Sequence, residues 1–262
     1  NSAAFDGTGD YLSIPDSDDW NFGSGDFTID YWIRYTSVSG DQMIYSQGTD
    51  ASNNIKVYSS SSDTTLNLVF DAGATFTFGS TWAPSANIWY HIAIARNNND
   101  FKMFVNGVQI GSKTQSYTVG NYTGSAIIGE DYDGAGSPFS GYLDEVHILK
   151  GRALTPEEIK AAASRRPYAV YTSPVLDASA STTWNTVNWT EGGVNTGNGE
   201  QPYNTSLLVA QWDFNDTSGA TLTASSSGSC TTACNGTLTN FASTGSQDAA
   251  AGTGWTANNK RW

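Results

Sequence analysis

Closely spaced turn residues divide residues 1–150 into short segments. Between the turns, apolar and polar residues alternate in runs rich in β-branched and aromatic side chains. A chain interrupted this often has no room for long helices, so the sequence predicts an all-β fold of antiparallel strands. The turn signals are Asp6-Gly7, Gly23-Ser24-Gly25, Asn97-Asn98-Asn99-Asp100, Asn106-Gly107 and Asp133-Gly134.

The clearest hairpin signal is the pair Asn106-Gly107. Both residue types accept the left-handed backbone of the tight turns whose twist matches paired strands. Residues 101–105 alternate before the turn, and residues 108–110 continue after it. Just upstream, residues 89–96 are almost continuously apolar, which is typical of a strand covered on both faces.

One short α-helix is predicted after this region. Thr155 provides an N-cap, Pro156 suits the first helical position, and Glu158 completes a capping box with Thr155. Pro167 would stop the helix. Because a helix of about ten residues is not stable alone in water, we expect it to pack on the side of the β-sandwich.

The chain of 262 residues carries a net charge of −13, with 14% charged residues. This charge repels nucleic acids and anionic membrane surfaces, and it leaves divalent cations as candidate partners. No run approaches the roughly 18 apolar residues of a membrane span. A surface made polar by Ser, Thr, Asn and Gly is typical of secreted β-proteins, so we predict an extracellular or cell-surface location. Because Asn1 precedes a strand-like segment directly, we expect a processed chain or an excerpt.

Five sequence motifs follow one another in order between residues 4 and 159. They resemble the laminin-G-like jelly rolls of the concanavalin A-like lectin/glucanase superfamily. The resemblance implies an antiparallel two-sheet jelly-roll sandwich with one short helix, and it implies little about function, because this fold hosts lectins, hydrolases, receptors and scaffolds. The motifs are residues 4–12 (AFDGTGDYL), 26–33 (DFTIDYWI), 89–93 with 104–107 (WYHIA, FVNG), 127–129 with 141–146 (IIG, GYLDEV) and 152–159 (RALTPEEI).

The C-terminal part resembles the beginning of the same family pattern. Residues 209–216 (VAQWDFND) and 235–238 (NGTL) match its opening strands, and the pattern continues from Trp262 into Asn1. The sequence therefore predicts that the chain has three parts. Residues 1–166 form a jelly roll that lacks its first strands, residues 167–206 form a small additional β module or a structured spacer, and residues 207–262 supply first strands.

The missing strands can be supplied in three ways. They can fold back on the same chain as a circular permutation, insert into the next subunit, or come from a neighbour in a covalent tandem array. An incomplete sandwich exposes sheet edges that favour strand pairing, and a head-to-tail contact that does not close produces a filament. We expect completion between copies of the chain, with Trp212, Phe214 and Leu238 as the assembly residues.

Asp144 is the carboxylate that most needs an explanation. Strand alternation predicts that it lies on the same face as Val146 and Ile148, where a charge needs compensation. Either Asp144 reaches solvent or backbone amides at a strand end, or it holds a structural Ca²⁺ with Asp213 or Asp216. Ca²⁺ takes six to eight oxygen ligands, so loop carbonyls would have to contribute. The family resemblance, since members often carry calcium, adds to this expectation.

A second group of carboxylates surrounds an aromatic residue in one predicted loop. Asp131, Tyr132 and Asp133 follow Glu130 directly. The group is either a site for a cation or a surface glycan, or a solvated acidic loop. We take Asp131, Tyr132 and Asp133 as the candidate ligand-binding residues, and Trp82 is a further aromatic candidate in a loop-like segment.

The two cysteines are Cys230 and Cys234, in a stretch rich in Ser and Gly. The pair forms either a small disulfide loop or two free thiols. We predict the disulfide, which an oxidising extracellular compartment would permit. A zinc site would need further Cys or His ligands nearby, and the sequence around this pair has none.

Catalysis is not expected. The family resemblance implies that a hydrolase of this fold would carry a Glu-x-Asp-x-x-Glu or Glu-x-Asp-x-Glu pattern. This pattern places the carboxylates on one face of a strand. This sequence has no such triple, and His91 and His147 lie on predicted strands without a nearby nucleophile motif. The first hypothesis is therefore a non-enzymatic structural or adhesive subunit that assembles head to tail. The alternative is a carbohydrate-binding module of a larger secreted protein.

Overall fold

The computed structural model describes residues 2–60, 65–71, 76–134, 136–164, 207–212, 214, 219–224, 234–241 and 254–256. The strands of the first half are β1 (Ser2–Asp6), β2 (Tyr11–Ile14), β3 (Phe27–Tyr35), β4 (Asp41–Asp50), β5 (Asn53–Ser60), β6 (Thr65–Phe70), β7 (Phe76–Thr81) and β8 (Trp89–Asn97). The later strands are β9 (Asp100–Val105), β10 (Val108–Thr114), β11 (Ala126–Ile128), β12 (Ser140–Lys150), β13 (Leu208–Trp212), β14 (Thr221–Leu222), β15 (Gly236–Thr239) and β16 (Gly254–Thr256). The helix is α1 (Pro156–Ala163), and Asp18–Trp20 forms a 3₁₀ turn. The β module predicted for residues 167–206 lies outside the described residues.

Two antiparallel sheets face each other and form a sandwich. The first sheet has the order β10-β9-β8-β3-β12-β1-β16, and β13 also pairs with β12, beyond the point where β1 ends. The second sheet has the order β14-β15-β2-β11-β4-β5-β6-β7. This architecture confirms the predicted antiparallel two-sheet jelly-roll sandwich with a short helix.

Aromatic side chains fill much of the space between the sheets. Phe27, Tyr31 and Tyr35 lie on the same face of β3 and are fully buried. Phe101 of the first sheet meets Phe70 of the second edge to face, with ring centroids 6.3 Å apart. Such ring pairs add about 0.5–1.5 kcal/mol beyond the burial of their area, so they help to hold the two sheets together.

The C-terminal segment completes both sheets within the same chain. β13 pairs with β12, β15 pairs with β2, and β16 pairs with β1. The predicted assembly residues Trp212, Phe214 and Leu238 are buried in the main core. Trp212 stacks on Trp20 at a centroid distance of 6.1 Å and donates its indole N–H to the carbonyl of Cys234 at 3.0 Å. Every one of these contacts is made within one chain, and strand exchange between copies stays a prediction.

Helix α1 lies on the outer face of the first sheet. The predicted capping box is confirmed, because the Thr155 hydroxyl accepts from the Glu158 N–H at 3.2 Å and the Glu158 carboxylate accepts from the Thr155 N–H at 3.0 Å. Ile159 is buried in a small apolar cluster with Phe104 of β9 and Leu149 of β12. The helix therefore covers one end of this face. Within the described ranges, no helix is long and apolar enough to cross a membrane.

The predicted hairpin is also confirmed. Asn106 and Gly107 join β9 to β10 with φ angles of 49° and 75°, the left-handed pair that a tight hairpin turn requires. A Cβ atom on Gly107 would lie 2.9 Å from the Cα of Lys160 in α1. Glycine at this position therefore serves both the turn and the close approach of the helix.

Candidate functional site

The loop after β11 folds back over the outer face of the second sheet. Ser46 of β4 donates its hydroxyl to the carbonyl of Glu130 at 2.8 Å. The Gly134 N–H closes a turn on the carbonyl of Asp131 at 3.0 Å, and the Asp131 carboxylate accepts from the Tyr132 N–H at 2.9 Å. These bonds tie the loop to itself and to β4.

Tyr132 packs its ring against the backbone of β4. A Cβ atom on Gly48 would lie 2.7 Å from two carbons of this ring, so glycine makes the close contact possible. The ammonium of Lys56, on the neighbouring β5, lies 5.1 Å from the ring centroid and 2.5 Å from the carboxylate of Asp131. The cation therefore joins the aromatic ring to the carboxylate.

Burial and neighbouring negative charges raise two pKa values in this loop. Burial raises the pKa of Glu130, and the charges of Asp131 and Asp133 raise it further. Burial, followed by the charges of Asp133 and Asp131, also raises the pKa of Tyr132.

The predicted ligand residues lie together as expected, and the structure adds a partner. Asp131 and Tyr132 converge on Lys56, whereas Asp133 is exposed. Lys56 was not predicted, because 75 residues separate it from Asp131 in the sequence. The sequence did contain one signal for Lys56, because it stands between the apolar residues Ile55 and Val57 and is therefore expected to face outward from its strand. Ligand binding by the three predicted residues stays a prediction.

Trp82, the other aromatic candidate, lies at the edge of the core. Its ring centroid is 6.1 Å from that of Tyr35 and 5.2 Å from that of Tyr90. Both neighbours pack against it at steep angles, and the side chain is half-buried. The surroundings of Trp82 are therefore those of a residue that closes one end of the sandwich.

Asp144 does not share a face with Val146 and Ile148, so that prediction is wrong. A β-bulge follows Asp144 where β12 pairs with β3, and Glu145 has a φ of 46°. Leu143 before the bulge and Val146 after it both pack in the main core. The extra residue reverses the alternation, and Asp144 consequently lies on the outer face of the first sheet.

The calcium and disulfide predictions concern residues only partly described. Asp144 is 4% exposed and accepts the backbone N–H of Glu145 at 3.0 Å. Its proposed co-ligands Asp213 and Asp216, and Cys230, the predicted partner of Cys234, lie outside the described residues. Among the residues that are described, no group of three or more His, Cys, Asp or Glu side chains is arranged to hold a metal ion. Both sites stay predictions.

A buried Asp–His cluster on the first sheet was missed by sequence reasoning. One carboxylate oxygen of Asp30 lies 2.8 Å from Nδ1 of His147 and 3.4 Å from Nε2 of His91. Burial alone would raise the pKa of Asp30, but the two histidines outweigh it and hold the pKa well below its ordinary range. The imidazoles are 3% and 1% exposed, so the cluster is closed to solvent.

Solved structures share this fold. A putative carbohydrate binding protein from Bacteroides ovatus is 15% identical, with a TM-score of 0.60 over 90% of this chain and 57% of that one. Domain 4 of AbnA, a GH43 extracellular arabinanase from Geobacillus stearothermophilus, in complex with arabinotriose, is 21% identical, with a TM-score of 0.51 over 61% of this chain and 74% of that one. A mutant of the NanB sialidase from Streptococcus pneumoniae is 12% identical, with a TM-score of 0.50 over 64% of this chain and 28% of that one. The chain thus spans little more than half the length of the first of these proteins.

Sequence comparison gives the family. No curated protein sequence matches the chain. The profile of the concanavalin A-like lectin/glucanases superfamily, by contrast, matches residues 6–160, which is more than half of the chain. This match covers strands β2 to β12 and the start of helix α1, in agreement with the observed sandwich. The chain therefore belongs to the concanavalin A-like lectin/glucanases superfamily.

Proposed function

We propose that the chain is a carbohydrate-binding module that holds a sugar at the Tyr132 loop. The observation that carries the proposal is the preformed group of Tyr132, Asp131 and Lys56 on the outer face of the second sheet. Ligand sites combine apolar or aromatic surface with a few well-placed polar groups. Here the ring of Tyr132 meets the C–H face of a sugar, while Asp131 accepts and Lys56 donates hydrogen bonds to its hydroxyls.

The charge of the loop selects the class of sugar. Glu130, Asp131 and Asp133 carry negative charge, and the neighbouring cation of Lys56 already pairs with Asp131. A carboxylated sugar would meet repulsion there. The ligand of this site is therefore a neutral saccharide.

The fold neighbours support binding without catalysis, outside the cell. One is described as a putative carbohydrate binding protein, and another is a domain of an extracellular arabinanase in complex with arabinotriose. The closed Asp30 cluster, the acid–histidine group that sequence reasoning missed, gives no access to a substrate. These observations favour an extracellular, non-enzymatic module attached to a larger protein.

Titration calorimetry of the full chain with neutral oligosaccharides tests the proposal, using arabinotriose, xylotriose and cellotriose as probes. We expect at least one to bind, and Tyr132→Ala to weaken its binding about tenfold through loss of the ring contact. The control is Tyr11→Ala, which removes another half-buried tyrosine of the same sheet and should leave the affinity unchanged. Absence of binding to these sugars and to a neutral glycan array would contradict the function. Equal losses in both variants would contradict the site.

Head-to-tail assembly is the second candidate function. It is favoured by the origin of β13, β15 and β16, which come from the far end of the chain and pair with β12, β2 and β1. The same pairs can form between copies. Native mass spectrometry of the 262-residue chain tests this. Polymers that disappear when residues 207–262 are deleted would support assembly, and a stable monomer would contradict it.

A further inference from the structure

Three side chains form a row across the outer face of the first sheet. Arg34 of β3 is paired directly with Trp89 of β8 and with Tyr142 of β12. Directly paired residues of neighbouring strands lie on the same face. Ile33 and Tyr35, on either side of Arg34, are buried in the core, so the row of Trp89, Arg34 and Tyr142 faces outward.

The three side chains contact one another. The guanidinium carbon of Arg34 lies 5.2 Å from the ring centroid of Tyr142. The rings of Trp89 and Tyr142 are 6.5 Å apart at an angle of 51°. One guanidinium N–H donates to the side-chain oxygen of Asn87 at 3.3 Å. A planar cation is therefore held against an aromatic surface in a defined orientation.

Exposure distinguishes this row from the rest of the face. Trp89, Arg34 and Tyr142 are each half-buried. In the next row along the strands, Trp32 and His91 are 9% and 1% exposed. Further along, helix α1 covers the face. Among the described residues, the row is thus a part of this outer face that a ligand can reach.

The residue types in the row select a ligand that is both anionic and partly apolar. A guanidinium has five N–H donors and binds a carboxylate through two parallel hydrogen bonds. Arg34 carries a positive charge, which attracts an anion. An acidic sugar combines a carboxylate with a ring whose C–H face is apolar.

We propose that Trp89, Arg34 and Tyr142 form a second glycan site, on the sheet opposite to the Tyr132 loop, that binds a uronic acid residue. The carboxylate pairs with Arg34, and the sugar ring packs on Trp89. This site does not depend on the Tyr132 loop, whose acidic residues select against the same ligand. One chain therefore presents two surfaces of opposite charge preference.

A pair of probes that differ only in charge tests the proposal. Trigalacturonic acid and its methyl ester have the same sugar rings, but only the acid carries carboxylates. The full chain carries Tyr132→Ala in these calorimetric titrations, so that the Tyr132 loop does not hold the neutral ester. At low salt, we expect the acid to bind at least about tenfold more tightly than the ester. This advantage should shrink as sodium chloride is added, because the charge interaction is screened.

Three variants assign the binding to the row. Arg34→Gln should abolish the difference between acid and ester, Trp89→Ala should weaken binding of both, and Tyr11→Ala, the matched control on the other sheet, should change neither. Near-UV circular dichroism checks the fold, and Arg34→Lys, which keeps the charge, should retain part of the preference if Arg34→Gln does not fold. The proposal is overturned by equal binding of acid and ester, by no binding at millimolar acid, or by loss of acid binding in Tyr132→Ala alone.

Discussion

Two polar clusters in this molecule use similar groups in different surroundings. On the first sheet, Asp30 lies 2.8 Å from His147 and 3.4 Å from His91, and its side chain is 1% exposed. On the second sheet, Asp131 lies 2.5 Å from Lys56, and these side chains are 12% and 22% exposed. Each cluster also contacts an aromatic ring. The chemistry is alike, but water reaches only the second cluster.

The difference shows how burial separates a structural group from a candidate binding group. Removing one partner of a buried pair leaves a polar group without water or a counter-charge, at a cost of about 3–5 kcal/mol. A pair near solvent contributes about 0–1 kcal/mol, because water replaces the lost partner. The Asp30 cluster should therefore govern stability, and the Asp131–Lys56 pair should govern ligand contact.

The largest expected effect is that of Asp30→Asn. The amide keeps the shape of the carboxylate but removes the charge that both histidines face, so we expect the free energy of unfolding to fall by about 3 kcal/mol at pH 7. Urea denaturation measures this. The control is Asp41→Asn, at an exposed aspartate at the start of β4, which should change stability by less than about 0.5 kcal/mol. Equal effects of the two substitutions would contradict the comparison.

The effect of Asp30→Asn should also depend on pH. The pKa of Asp30 in the folded chain is lowered, so the ionised carboxylate stabilises the fold above the unfolded-state pKa of about 4. This stabilisation is lost as the pH falls toward the folded-state pKa. The difference between the wild-type chain and the variant should therefore be complete near neutral pH and shrink below about pH 4.

A smaller effect of opposite sign is expected for Asp10→Asn. Asp10 is fully buried, and one of its oxygens has no hydrogen-bond partner among the described residues. Burial, together with the charges of Asp6 and Glu130, raises its pKa from 3.8 to about 6. Its other oxygen accepts the backbone N–H of Asp6 at 2.9 Å, and an asparagine oxygen can keep this bond.

The pH dependence of Asp10 follows from its raised pKa. The folded chain binds the proton more tightly, so this group lowers stability as the pH rises from about 4 to about 6, and its penalty is complete above that range. Asp10→Asn should stabilise the chain by about 1–2 kcal/mol at pH 7.5, allowing for solvent screening, and by little at pH 4. Thermal melting at both pH values measures this. A variant that melts earlier at pH 7.5 would contradict the assignment.

The smallest effect on stability is expected for Lys56→Gln. Loss of the ion pair with Asp131 should cost less than about 1 kcal/mol of unfolding free energy, because both side chains are partly exposed. Neutral-sugar binding at the Tyr132 loop should nevertheless weaken, since a fixed donor is lost. Denaturation and titration of the same sample measure both quantities. A stability loss as large as that of Asp30→Asn would show that the two clusters do not differ in kind.

Local patterns predicted the parts of the fold that depend on neighbouring residues. The Asn106-Gly107 turn and the Thr155–Glu158 capping box are formed within a few residues, and both were predicted correctly. Asp131 and Tyr132 were recognised as a candidate pair because they are adjacent. Asp144 was assigned to the wrong face, because a single-residue bulge in β12 reverses the alternation that the prediction assumed.

Contacts across the sheets were decided only by the tertiary structure. Lys56 and Asp131 are 75 residues apart, Asp30 and His147 are 117 residues apart, and neither pair has a local signal. Likewise, residue types alone allowed the C-terminal strands to complete either their own chain or another copy. Turns and caps are determined by the sequence because their hydrogen bonds join residues close along the chain. Strand order, register and burial are not, because a β-sheet brings together residues that are distant in sequence, and a shift of one residue exchanges its faces.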